Sequence, residues 1–310
     1  MQLTVGTRGS SLSIVQTNLI IQQLTKIFPD LEVEIKIIKT IGDRMAGKPL
    51  LQIKEKGIFE KEIDKAVSRG KVDFAVHSMK DVPAVNPSKI IIAAVPKRES
   101  PYDALVSKQG LTLKKLPQCA VVGTGSPRRE AELHHVRPDL KVKTIRGNVD
   151  TRVKKLMQGQ YDAVIIAEAG LRRLNMQQYI SERLPLEDFT PSSGQGALAI
   201  VAKQGNEEVT GVLKRINDPA SMAETMAERA FILEIGGGCK VPIGVVARAS
   251  GNKLSLYASV LSPDGKVRVH TFLVGDLTSP NKLGVKAAED LLNMGAKELI
   301  RLWRRLYEEG

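Results

Sequence analysis

Three short stretches of this 310-residue chain set chemically useful side chains into backbone that can approach a ligand. In VGTGSPRR, Val122 to Arg129, a Thr and a Ser hydroxyl and two guanidiniums stand where a strand gives way to a helix. Unpaired N–H groups at such a turn, joined by forked cations, make an anion site. Arg128 takes the place of the third glycine of a dinucleotide fingerprint, so close packing over a pyrophosphate is not indicated. The plainer alternative is a helix start with Pro127 at its first position and two surface arginines. HSMKDVP sets Lys80 beside Asp81 in a tight loop after a buried strand, where a carboxylate can stabilise a developing cation or simply cap a turn. Cys239 follows three glycines, which suits a nucleophile or attachment point, whereas Cys119, before Ala-Val-Val, reads as a core filler.

Further arginines fall at loop or helix-start positions: Arg8 after the first strand, Arg146 before a helix, Arg152 in its first turn, and Arg172 with Arg173 near the end of another. Arg8, Arg128, Arg129 and Arg146 all follow strand ends, which parallel sheets bring to one edge. Several guanidinium forks at one cleft suit a substrate rich in carboxylates or phosphates.

The elements that must position these groups follow strand-loop-helix grammar. Leu3–Thr7 reads as a strand and GTRGSS as the turn into a helix with an apolar stripe of Leu12, Val15, Leu19, Ile20, Leu24 and Ile27. Strand 32–38, helix 59–68 and strand 74–77 follow, and Pro83 breaks the chain. The fully apolar run Ile90–Val95 reads as a strand buried in a parallel sheet. A second series from Asp103 repeats the order: strand 120–123, helix to 136, strand 141–144, helix 149–158 and strand 163–167. After the Ser/Gly-rich 191–196, strand 198–201 and a helix to 216 are the point at which the chain crosses back to the first domain. Beyond Asp218-Pro219 come a helix to 235, GGGCKVPIG, three strands with an SPDGK hairpin, and one final helix. The expected fold is therefore α/β, with two similar domains and a small C-terminal α+β domain. Their expected bounds are 1–98 with 197–216, 99–196, and 217–310.

Composition narrows the function. A net charge of +12 points to an anionic partner or to solvated lysines, while 4% aromatic residues leave few platforms for stacking bases, so nucleic acid is not expected. The four histidines form no HExxH pattern and the two cysteines no CxxC, so neither a metal nor a disulfide framework is suggested. No run approaches the roughly 20 apolar residues of a membrane span, and the opening residues read straight into a strand, so a cytoplasmic protein without a membrane partner is expected.

In this order, TRGSSL, Gly42-Asp43, KGIFEKE, HSMKDVP, VGTGSPRR, RGNVDTR, AGLRRL, GQGA, AERAF and GGGCKVPIG resemble the porphobilinogen deaminase family from Thr7 to Gly244. HSMKDVP and GGxCxxPxG are the specific motifs; AGLRRL or GQGA alone would mean little. The resemblance implies a transferase of tetrapyrrole (haem, sirohaem or corrinoid) biosynthesis. It would join four porphobilinogen molecules head-to-tail into hydroxymethylbilane, releasing ammonia, on a dipyrromethane cofactor held by a thioether. It further implies two domains like periplasmic anion-binding proteins with a cleft between them, and a monomer. Carried over residue by residue, Cys239 is the attachment point and Asp81 the catalytic carboxylate, which also binds the cofactor. Ser78, Lys80, Thr124, Ser126, Arg128, Arg129 and Arg146 then hold cofactor or chain carboxylates. Arg8, Ser10, Arg152, Arg173 and Gln195 face the incoming substrate, and Lys56 lies in a loop over the cleft. Two departures from the family pattern stand out: Glu55 where glycine is usual, which narrows the backbone choices before Lys56, and Pro127 for the commoner leucine, which suits a helix start. A non-catalytic anion-binding protein of the same fold is the rival reading, and Cys239 discriminates the two.

Overall fold

A computed structural model of the chain describes residues 1–40, 61–85, 89–236 and 242–309. They divide into two compact units, Met1–Glu99 with Ala197–Met222 and Ser100–Gly196 with Ala223–Gly310.

In the first unit, β1 (Gln2–Thr7), α1 (Ser11–Ile27), β2 (Glu32–Ile37), α2 (Lys61–Ser68), β3 (Phe74–Ser78) and β4 (Ile90–Ala94) follow one another. β1 lies parallel to β2 and β3. Side chains alternate across the sheet, so Phe74 and Val76 pack with Ile20 and Leu24 of α1, while Ala75 packs with Ile63 and Val67 of α2. Full burial of a side chain such as Phe74 or Ile20 contributes roughly 1.5–3 kcal/mol. The buried face of α1 differs from its apolar stripe: Leu19 and Ile27 are exposed, and Gln16 and Thr17 are buried with Ile20 and Leu24. Hydrogen bonds account for this, because Thr17 Oγ1 donates to Thr7 Oγ1 at 2.9 Å and Gln16 Nε2 to Ser78 Oγ at 3.1 Å.

The second unit opens with β5 (Asp103–Ser107), β6 (Val121–Gly123), α3 (Pro127–Val136) and β7 (Lys141–Lys143). α4 (Val149–Met157), β8 (Ala163–Ala167), α5 (Glu168–Arg173) and β9 (Glu182–Arg183) complete its α/β part. The strand order is β7-β6-β8-β5-β9, with β6 parallel to β7 and β8, and β5 antiparallel to β8 and β9. The chain then returns to the first sheet as β10 (Leu198–Lys203), which inserts antiparallel between β3 and β4 to give β2-β1-β3-β10-β4. The two sheets thus share one pairing pattern. This also corrects the expectation for β4: its strand partner is antiparallel, and it is apolar on both faces because α2 and a later helix, α6 (Glu207–Lys214), cover it.

α7 (Pro219–Glu234) leads to an antiparallel sheet of β11 (Ile243–Ser250), β12 (Lys253–Leu261) and β13 (Arg268–Asp276). The expected single final helix is two, α8 (Pro280–Leu291) and α9 (Lys297–Glu309), because Gly295 at φ 100° turns the chain between them. Their apolar faces, with Phe231 of α7, Leu256 and Trp303, form one core, and Trp303 Nε1 donates to the Leu261 carbonyl at 2.7 Å. No helix among the described residues is long and apolar enough to cross a membrane.

Gly284 is where α8 meets α7: a Cβ there would land on the Ala227 carbonyl oxygen. Gly284→Ala is expected to destabilise the second unit by about 1–3 kcal/mol through overpacking. Thermal denaturation checks this, and an unaltered melting temperature would show that the two helices are not in such close contact.

Candidate active site

In the first unit the candidate groups stand at the carboxyl ends of β1 and β3. Ser10 caps α1, its Oγ accepting from the Ser13 amide at 3.3 Å, and half-buried Arg8 lies in the turn before it. Ser78 ends β3 and is held by Gln16. A 3-10 turn, Met79–Asp81, then anchors buried Met79, whose amide donates to the Ala197 carbonyl at 3.0 Å, and leaves Lys80 and Asp81 exposed. The Asp81 carboxylate has no hydrogen-bond or ion-pair partner among the described residues, so it is available to a ligand.

In the second unit the loop after β6 and the loop after β7 are laced together: the Thr124 amide donates to the Lys143 carbonyl at 3.2 Å and the Ile145 amide to the Thr124 carbonyl at 3.3 Å. A Cβ at Gly125 would sit 2.9 Å from the Ile145 carbonyl oxygen, which is why this turn takes glycine. Thr124 Oγ1 accepts from the Ser126 amide at 3.2 Å, and Ser126 begins α3 without a side-chain cap bond, leaving first-turn N–H groups to other partners. Pro127 occupies the first turn, as a helix start allows.

Arg128 and Arg129 are not surface arginines. Both are buried, and Asp103 at the start of β5 accepts from Arg128 Nη2 at 2.8 Å and from Arg129 Nη2 at 2.7 Å. Arg128 Nη1 also donates to Glu132 Oε2 at 2.6 Å and to the Thr190 carbonyl at 2.7 Å, and Arg129 Nη1 to the Ile165 carbonyl at 3.1 Å. Gln195 serves the same carboxylate, with Nε2 donating to Asp103 Oδ1 and to the Pro101 carbonyl, both at 2.8 Å. Arg173 Nη2 donates to the Gly196 carbonyl at 2.6 Å, and Arg172 pairs with Glu168. Arg146 and Arg152 are half-buried, and Arg152 Nε donates to the Gly147 carbonyl at 2.8 Å.

Charge crowding marks the place. Burial, and after it the charges of Arg129 and Arg146, draw the Arg152 guanidinium down to about 10. It stays protonated at neutral pH, and an incoming anion would relieve the repulsion. Burial disfavours ionisation of Asp103, yet Arg128 and Arg129 outweigh it and hold the carboxyl far below the usual carboxylate range. Burial also pushes Glu132 up to about 8: Arg128 opposes this, Asp103 adds to it, and Glu132 Oε1 has no hydrogen-bond partner among the described residues. Cys239 and Lys56, with Glu55 before it, lie outside the described residues. Cys119 does not fill the core; it is exposed, with φ 61° in the turn before β6.

Two family models match the chain: "Porphobilinogen deaminase, dipyromethane cofactor binding domain" over residues 3–211 and "Porphobilinogen deaminase, C-terminal domain" over 222–293. The chain belongs to the porphobilinogen deaminase family. It is 45% identical over 309 residues to the probable porphobilinogen deaminase of Nitrosopumilus maritimus, covering 100% of this chain and 99% of that one. It is 44% identical to the porphobilinogen deaminase of Roseiflexus castenholzii, covering 96% and 98%, and 43% identical to that of Brevibacillus brevis, covering 96% of each. Among solved structures, a Salmonella typhimurium periplasmic binding protein with arginine specificity covers 71% of this chain and 93% of its own at 12% identity and a TM-score of 0.41, a likeness that adds nothing to the assignment.

Within this porphobilinogen deaminase fold the structure brings Thr124, Ser126, Arg128, Arg129, Arg146 and Arg152 into one laced pair of loops, and sets Arg8, Ser10, Ser78, Lys80 and Asp81 on two neighbouring strand ends. Sequence reasoning missed Asp103, Glu132 and Thr190. A signal existed for the first two: an acidic residue opening the apolar strand DALVS, and a Glu four residues after Arg128 on one helix.

Glu132 makes stability depend on pH. Its folded pKa is raised, so its contribution is complete below about 4.5 and is lost as pH rises through about 8. Asp103 acts below the ordinary Asp range, outside this window. The melting temperature is therefore expected to fall across this interval and Glu132→Gln to flatten the fall. Parallel profiles for the two proteins would exclude Glu132 as its source.

Proposed function

We propose a division of labour among these residues for an enzyme that polymerises porphobilinogen on a dipyrromethane cofactor, the activity of its family. The cofactor carries an acetate and a propionate on each ring, and every added pyrrole brings two more carboxylates. The arginine cluster fits such a group: burial first, and after it the charges of Arg129 and Arg146, lower Arg152 to about 10, and a carboxylate among these cations replaces repulsion with charge-assisted hydrogen bonds. That crowding is the observation carrying the assignment. Thr124, Ser126, Arg128, Arg129, Arg146, Ser78 and Lys80 hold cofactor or chain carboxylates; Arg8, Ser10, Arg152, Arg173, Gln195 and Lys56 serve the incoming substrate. For Arg128, Arg129 and Gln195, already bound to Asp103, part of that role is exercised through placement and field.

When bound, dipyrromethane supplies the free pyrrole α-carbon at which the chain grows. Loss of ammonia from porphobilinogen leaves an electron-poor methylene, and positive charge spreads over pyrrole nitrogens as the new bond forms. Asp81, exposed and uncommitted, accepts pyrrole N–H groups and stabilises that charge. Cys239 would hold the cofactor by a thioether, its sulfur replacing the amino group of an aminomethyl pyrrole while ammonia carries off the thiol proton. The reading includes domains at 1–98 with 197–216, 99–196 and 217–310, the last bearing the cysteine. It also includes a cytoplasmic monomer acting in haem, sirohaem or corrinoid synthesis with neither nucleic acid nor membrane as partner.

The intact mass of the denatured chain is expected to exceed the sequence mass by one dipyrromethane, and Cys239→Ala to lack the increment and melt at a lower temperature. An unmodified mass in a chain produced with porphobilinogen present would remove the covalent cofactor. Asp81→Asn is expected to retain the increment while turnover falls by about 10²–10³-fold, since it removes charge and keeps shape. Wild-type turnover in that variant would take Asp81 out of the chemistry.

A further inference from the structure

Thr190 is fully buried and joins parts of the second unit that no motif connects. Its carbonyl accepts from Arg128 Nη1 at 2.7 Å. Its hydroxyl donates to the Leu186 carbonyl at 3.0 Å and accepts from Ser259 Oγ at 2.8 Å and Arg268 Nη2 at 3.2 Å, both from the C-terminal sheet. Gly244, the second residue of β11, lies directly against it: a Cβ there would fall 2.5 Å from both the Thr190 Cβ and its carbonyl oxygen. The next residue repeats the attachment, with the Val245 amide donating to the Pro191 carbonyl at 2.8 Å. Glu228 adds a third, accepting from the Ala247 amide at 2.8 Å and the Gly194 amide at 2.5 Å.

We propose that Thr190 and Gly244 are positioning residues for the loading of Cys239: they fix the start of β11, the strand that follows the cysteine in sequence, against the carbonyl that Arg128 holds. The proposal rests on the reading of Cys239 as attachment point. Its physical basis is rigidity on both sides of the contact. Arg128 is fixed by Asp103 and Glu132, so its bond to Thr190 is a bond to a stationary post. At the end of α7, Arg304 Nη2 donates to the Gly236 carbonyl at 2.8 Å. A methyl at Gly244 must move the start of β11 away from Thr190, and reacting groups displaced by about 1 Å can lose about 10²-fold in rate.

The test uses the full-length chain produced without porphobilinogen. Porphobilinogen is then added and the gain in intact mass is followed with time, while alkylation of Cys239 by neutral iodoacetamide is followed in parallel by peptide mapping. Gly244→Ala is expected to slow mass gain by about 10²-fold with alkylation within about twofold of wild type, because the substitution acts on the geometry at β11 and not on the reactivity of the thiol. Thr190→Val, which keeps shape and loses the hydroxyl that Ser259 and Arg268 use, is expected to slow mass gain in the same direction and supplies the test should Gly244→Ala not fold. Thr190→Ser, retaining both oxygens, is expected to load like wild type. Equal mass gain in wild type, Gly244→Ala and Thr190→Val, or an equal loss of alkylation and mass gain, overturns the positioning role. No mass gain in wild type itself would instead overturn the reading of Cys239.

Discussion

The carboxylate of Asp103, buried at the start of β5 and shared by Arg128 and Arg129, is the contact on which the arginine cluster of the second unit depends. Successive residues on a helix point about 100° apart, so two adjacent arginines do not converge by themselves. One carboxylate with two oxygens draws them together, and Gln195 supplies a further donor to it. Removing one member of such a buried set leaves an uncompensated charge, typically at a cost of about 3–5 kcal/mol. The network therefore fastens the first turn of α3 to the sheet and fixes the loop that carries Thr124 and Ser126.

This arrangement divides the cations into two groups. Arg128 and Arg129 are spent largely on architecture: Asp103 is the counterion of both, and Glu132 accepts a hydrogen bond from Arg128. Arg146 and Arg152 stand beside the same cluster, and Arg152 is drawn down by its burial first and by the charges of Arg129 and Arg146 after it. The split gives the inner pair a geometry fixed by protein partners and leaves the outer pair half-buried. Within the same few residues burial pushes Glu132 up, and paired guanidiniums force Asp103 down despite burial.

The two sheets reach one pairing pattern by different chain routes. In each, a parallel trio presents its carboxyl-end loops, and the fourth strand is antiparallel. That strand follows its trio in sequence in the first sheet, as β10, and precedes it in the second, as β5. Chemistry is distributed accordingly. One trio offers an exposed carboxylate at Asp81, without a partner among the described residues, and the other offers a concentration of guanidiniums.

Much of this was legible in the amino-acid order alone. Period-two and helical spacing located most strands and helices, Gly and Pro marked the turns, and the motifs from TRGSSL to GGGCKVPIG carried the family and its chemistry. Local rules suffice there because a turn or a helix start is decided by neighbours in sequence. What they did not decide was partnership across distance. The apolar run at β4 did not reveal an antiparallel neighbour more than a hundred residues away, the stripe on α1 did not reveal that Gln16 and Thr17 face inward, and PRR did not reveal that Asp103 had claimed both guanidiniums. Cys119 looks like a core residue until its left-handed turn places it outside. Charge pairing, burial and strand order depend on which segments meet in space, and only the tertiary structure settles that.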